Sequence, residues 1–233
     1  MSQRSRTGLL GLALFLPFIV LARSAVAQLA PANTSAFGES IAISLVPLSG
    51  PPLTVTSGPL PSVAEGYGLN KGMSNFKVAG VLGNVLETSL LQVSSSSQRL
   101  PASPALADST VGGLKLQLIG SPFLVLKADA ASSRALISCM LKQPVPTGSV
   151  NLANAQLNGV PLGDRPAPNT VLLDTGKLRV VLNEQILSGG NGTAHLVVNA
   201  IHISIQKLSI TGVGVLTGEI ILGQSHAYLP SCT

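Results

Sequence analysis

From Phe37 onward the chain reads as short apolar runs separated by clusters of Gly, Pro, Asn and Ser. Ile41, Ile43 and Leu45 alternate with Ala42, Ser44 and Val46 before Pro47, a period of two that specifies an extended segment with one face turned inward. Similar runs, dominated by Val, Ile, Leu and Thr, follow at 53–56, 76–93, 111–118, 123–137, 150–157, 177–182, 194–205 and 212–221. The breaks at Ser49-Gly50-Pro51-Pro52, Gly120-Ser121-Pro122, Asn158-Gly159 and Gly189-Gly190-Asn191-Gly192 carry turn chemistry. The alanine-rich stretch 128–136 is the best helical candidate. It is read as a strand, because Leu124, Leu126, Ala128 and Ala130 would share one face and Lys127, Asp129 and Ser133 the other.

Many strands with no helices between them require antiparallel pairing, since parallel strands need long crossovers. The expected fold is therefore an all-β antiparallel sandwich, with barrel-like closure as the alternative. The clearest hairpin joins Leu178, Val180 and Leu182 to Leu196, Val198 and the 199–205 run, with an irregular turn expected around 188–193. Ser94-Ser95-Ser96-Ser97 reads as a solvated loop at a hairpin tip.

The N-terminus changes the picture of charge. Arg4 and Arg6 precede an apolar run from Gly8 to Ala22, and Ala25-Val26-Ala27 supplies the small residues of a cleavage site, so residues 1–27 read as a secretory signal cut between Ala27 and Gln28. The apolar run is shorter than the ~20 residues of a membrane-spanning helix and contains Pro17, so no transmembrane anchor is expected in the mature chain. Residues 28–36 are expected to be a flexible lead-in, and 37–233 a single domain. Cleavage removes Arg4, Arg6 and Arg23 and no acid, lowering the formal charge from +5 to +2. The remaining cations are scattered, Trp is absent and Tyr occurs twice, so no nucleic-acid surface is expected. Export to an oxidising compartment lets Cys139 and Cys232 pair as a structural disulfide.

Candidate chemistry is sparse. His195 and His202 are an odd number of positions apart on one strand, which puts them on opposite faces, and His226 has no ligand spacing with either, so no metal and no cofactor is expected. No Gly-x-Ser-x-Gly elbow or phosphate loop occurs. The densest polar group is Asn183-Glu184-Gln185, facing Asn199 and His202 across the hairpin. It reads either as a weak catalytic candidate, with Glu184 as acid and His202 as partner, or as polar residues capping backbone groups at a bend. A glycosidase pairing of Glu184 with Asp174 or Asp129 is the alternative enzyme reading. Asn33-Thr34-Ser35 and Asn191-Gly192-Thr193 match the N-glycosylation acceptor pattern, which matters only in a eukaryotic source.

Several segments, taken in order, resemble the choice-of-anchor P family of exported bacterial proteins. They are Gly58-Pro59-Leu60-Pro61, Ala128-Asp129-Ala130 leading to Cys139, Asn158-Gly159-Val160-Pro161, Leu182-Asn183-Glu184-Gln185, Val198-Asn199-Ala200-Ile201-His202 and Cys232. The resemblance implies one secreted domain of undefined biochemical role, often followed by a surface-sorting tail. This chain ends at Pro230-Ser231-Cys232-Thr233 with no such tail, so release, or retention in a periplasm, is the expectation. The leading functional expectation is a non-enzymatic extracellular structural or binding domain with an unknown envelope partner, and a secreted hydrolase is the rival.

Overall fold

The computed structural model describes residues 32–64, 68–80, 83–97, 103–118 and 124–232. The expected leader, its expected Ala27/Gln28 cleavage point, the start of the expected lead-in and the expected turn at Gly120-Ser121-Pro122 lie outside them. Thirteen strands are described: β1 (Asn33–Pro47), β2 (Leu53–Ala64), β3 (Leu69–Gly80), β4 (Gly83–Ser96), β5 (Ala105–Gln117), β6 (Val125–Met140) and β7 (Gln143–Ala153). After them come β8 (Gln156–Leu157), β9 (Val160–Pro161), β10 (Thr170–Asp174), β11 (Leu178–Gly190), β12 (Thr193–Ile210) and β13 (Gly214–Leu229).

They form two antiparallel sheets. Sheet A runs β10-β11-β12-β13-β1-β2, and sheet B runs β3-β4-β5-β6-β8-β9, with β7 also paired to β6. The N-terminal hairpin β1–β2 completes the sheet built by the C-terminal meander, so β1 lies between β2 and β13. β13 packs over β5 and β6, β12 over β6 and β7, and β1 over β4 and β5. This is a sandwich; the barrel-like alternative is excluded because the sheets do not close on each other. The helical candidate at 128–136 lies within β6.

Three expectations are corrected. The chain is already part of the fold at Asn33, ahead of Phe37, because Asn33–Ala36 pair with β13. The turn between β11 and β12 is not irregular: Gly190 pairs with Thr193, and Asn191 and Gly192 take the positive φ values of a two-residue hairpin turn. The four-serine run is not a loop tip. Ser94–Ser96 finish β4, with Ser95 and Ser97 buried.

The inward faces follow period two only as far as the middle of each long strand. Inward positions there skip three residues instead of two: Val111 to Leu114 in β5, Ala128 to Ala131 in β6, Val198 to Ile201 in β12 and Leu222 to Ser225 in β13. Asn75, Gly113 and Asn154 in sheet B, and Asn183, Gly223 and Gly58 in sheet A, hold positive φ along this line, on alternate strands. Gly and Asn reach that conformation at low cost, which explains their presence in strand interiors. The β5–β6 ladder stays in register across it, Gly112 pairing with Ala130 and Leu114 with Ala128, whereas the β1–β2 ladder shifts between Glu39 and Ile41, beside Gly58. The long strands thus exchange their faces along one transverse crease.

One large apolar cluster spans the crease, from Ile41, Leu116 and Ile201 on one side to Leu91 and Ile137 on the other, and a small one of Ala36, Val63, Val93 and Ala107 lies on the side of Ile137. Near the crease, hydroxyls tie sheet to sheet. Ser109 Oγ donates to Phe37 O at 2.8 Å, and Ser133 and Ser225 share a 2.8 Å hydrogen bond, both buried. Gln185 lies against Gly148, where a Cβ would come within 2.6 Å of its Cδ. Cys139 of β6 is bonded to Cys232 beyond β13, joining the two sheets covalently over a sequence separation of 93.

Candidate functional site

Because of the crease, His195 and His202 both project from the outer face of sheet A rather than from opposite faces. Leu196 and Val198 point inward on one side of Ala200, and Ile201 and Ile203 on the other. A parity count along an uninterrupted strand fails here.

His202 meets Glu184 as the sequence suggested. Its Nδ1 lies 2.7 Å from Glu184 Oε2, and its Nε2 lies 2.7 Å from Glu219 Oε1, a partner the sequence gave no reason to expect. Asn199 Nδ2 donates to Glu184 Oε2 at 2.7 Å, and Gln224 Nε2 donates to Asn199 Oδ1 at 2.8 Å. Neighbouring strands therefore carry one chain of contacts, Glu219–His202–Glu184–Asn199–Gln224. The hydrogen bond that Glu184 accepts from the ring, helped by both carboxylate charges and by the one Glu219 accepts, raises the His202 pKa against the opposing effect of burial. The same hydrogen bond, then Asn199 and nearby charges, lowers that of Glu184. Both ring nitrogens of His202 are thus engaged, and an imidazolium held between two carboxylates has no lone pair to act as a base or ligand. Asp174 and Asp129 do not join Glu184: Asp174 pairs with Arg179, and Asp129 accepts from Asn154 Nδ2.

A raised histidine pKa stabilises the folded state fully below the unfolded value of about 6.5, and the gain is lost as pH rises through the folded value. The His202 ring signal in an NMR titration is expected to move at a pH above that of an ordinary histidine, and Glu184→Gln to bring it down. An unchanged midpoint in that variant would remove the ion chain.

Asn183 and Gln185 have a different task from Glu184. Asn183 Nδ2 donates to Pro166 O at 2.8 Å, Asn169 N donates to Asn183 O at 2.8 Å, and Gln185 N donates to Asn169 Oδ1 at 2.8 Å. Leu152 N donates to Asp164 O at 2.7 Å. The capping reading therefore holds for Asn183 and not for Gln185, whose side chain donates to Asn183 Oδ1 at 2.9 Å while its backbone N–H is capped by Asn169. Together these bonds clamp the 162–169 connection against β7 and β11, fixing Arg165 between bonded neighbours.

Arg165 lines a groove of about 710 Å³ that sequence reasoning missed. Its floor is the outer face of sheet B. Two adjacent cross-strand rows build it, Asn70-Ser94-Asp108-Arg134-Ser149 and Gln92-Thr110-Ser132-Asn151, each set by the ladder register. Arg134 Nε lies 2.6 Å from Asp108 Oδ1, so that pair is internally neutral. Arg165 is exposed and is left as the surplus cation of the groove. Alternate polar residues on consecutive strands are the sequence signal, but only pairing shows that they line up. Among the described residues no helix is long and apolar enough to cross a membrane, and no group of three or more His, Cys, Asp or Glu side chains is placed to hold a metal ion. No family model, curated protein or solved structure matches the chain.

Proposed function

We propose that the chain is a secreted, non-enzymatic binding domain whose sheet B groove receives an extended polyhydroxylated chain bearing carboxylates, an acidic polysaccharide. The observation that carries this reading is the groove floor, five strands wide and lined by amides, hydroxyls and guanidinium groups. At a strand spacing of about 4.8 Å it extends about 19 Å between its outer strands, enough for several sugar rings. Val150 is the one apolar side chain among its lining residues, which disfavours an apolar partner, and no aromatic ring is present for stacking, so hydrogen bonds must supply recognition. The surplus charge of Arg165 favours an anion, because guanidinium engages carboxylate through paired N–H donors. The resemblance to exported choice-of-anchor P proteins and the N-terminal leader pattern support an extracellular role. The disulfide is consistent with an oxidising compartment.

The hydrolase reading has less support. Glu184 is held in its ionised form and His202 is engaged at both nitrogens, so neither is set up as a general acid or base.

Calorimetric titration with oligogalacturonate, against a neutral oligosaccharide of equal length, tests the proposal. Saturable binding of the acidic chain is expected, weakening with salt, and Arg165→Ala is expected to reduce affinity about tenfold, or about 1.4 kcal/mol. No saturable binding, or equal affinity in the variant, would overturn it.

A further inference from the structure

A second cluster lies on the outer face of sheet A, the face opposite to the groove-bearing one. His226 Nε2 and His195 Nδ1 approach to 3.1 Å, bringing together diagonal neighbours on β13 and β12. On its far side, His226 Nδ1 lies 3.3 Å from Ser35 Oγ on β1. The Tyr228 ring packs on His195 with centroids 4.2 Å apart. Both imidazoles are half-buried.

We propose that His195 and His226 form a two-histidine site for a divalent transition metal of the imidazole-preferring class, Zn2+, Ni2+ or Cu2+, completed by water. Geometry carries the assignment. With metal–nitrogen bonds of about 2.05 Å, a bite of 3.1 Å corresponds to an angle of about 98° at the metal, between the tetragonal and tetrahedral ideals. The outer contact accommodates the tautomer a metal needs, since a serine hydroxyl can accept as well as donate. When His226 donates its Nδ1–H to Ser35 Oγ, its Nε2 keeps a lone pair aimed at His195, the arrangement that orients metal-bound histidines elsewhere. His195 then contributes Nδ1 by carrying its own proton on Nε2, so neither neutral ring has to lose a proton. Burial, and then the neighbouring His195, lower the pKa of His226, which favours the neutral ring a metal requires. Tyr228 covers the His195 face and limits its rotation. Two protein ligands leave the remaining positions to solvent, so the site is open to an exogenous donor.

His202 is the internal control, since both its nitrogens are engaged by carboxylates. The test uses the untagged, disulfide-intact chain titrated with Cu2+, followed by electron paramagnetic resonance and calorimetry. One equivalent is expected to bind with hyperfine coupling to two nitrogens, and saturating metal to raise the melting temperature. His195→Ala and His226→Ala are each expected to weaken binding at least tenfold, and His202→Ala to leave it unchanged. Circular dichroism melts establish that the variants are folded, and Ser35→Ala, which spares both ligands, is expected to weaken binding by a smaller factor. Absence of binding at millimolar Cu2+, or binding that survives loss of both His195 and His226, overturns the assignment.

Discussion

Replacing Cys139 and Cys232 together by serine is expected to lower the unfolding free energy by about 4 to 5 kcal/mol, the largest single effect in this molecule. The magnitude follows from the sequence separation of 93, because closing so long a loop removes much of the freedom of the unfolded chain. The placement adds to it. Cys139 is near the end of β6 in sheet B and Cys232 follows β13 in sheet A, so the bond holds together the two layers that must both be present to bury the core. Urea unfolding of the oxidised protein with and without reductant measures the same quantity without mutation. A midpoint that does not move would show that the unfolded chain gains little freedom when the bond is cut.

The second large effect belongs to Glu39. Its side chain faces inward at the crease and is fully buried; Ser57 Oγ donates to Oε1 at 3.0 Å, while Oε2 has no partner among the described residues. Burial pushes its pKa up to about 7, partly opposed by the Ser57 hydrogen bond. The folded protein therefore holds a proton that the unfolded chain releases near pH 4.5, and the native state is favoured most below that pH. Stability is lost as pH rises from about 4.5 to about 7, by about 3 kcal/mol at 1.36 kcal/mol per unit. Glu39→Gln is expected to flatten this slope and to exceed the parent in stability above pH 7. Because the Glu184–His202 contacts titrate too, the informative quantity is the difference between parent and variant across the series. If the two curves run parallel, Glu39 is not the group responsible.

The strands were legible because their apolar runs keep period two over half a strand or more. Ile41, Ile43 and Leu45 are inward as expected, and the stop at Pro47 is the end of β1. The disulfide was legible from two cysteines and a presumed oxidising compartment, and the Glu184–His202 contact from two polar residues facing each other across one hairpin. The crease was not. A positive-φ asparagine or glycine inside a strand looks like any Asn or Gly, so Ala130 was grouped with Leu124 and His195 was assigned the face opposite His202. The groove was hidden for another reason: Asp108, Arg134 and Ser149 are distant in sequence and are brought together only by pairing. Likewise Glu219 reaches His202 across β12 and β13, a meeting that no local spacing encodes.

The crease also governs how errors spread. Since each long strand resets its orientation at Asn75, Gly113, Asn154, Asn183, Gly223 or Gly58, or opposite one of them, the two ends of a strand choose their inward residues independently. A one-residue deletion near the far tip of β12 would invert the short segment beyond Ala200 while the 201–205 segment kept its alignment. Face selection is thus set separately on the two sides of the crease, although one apolar core spans both.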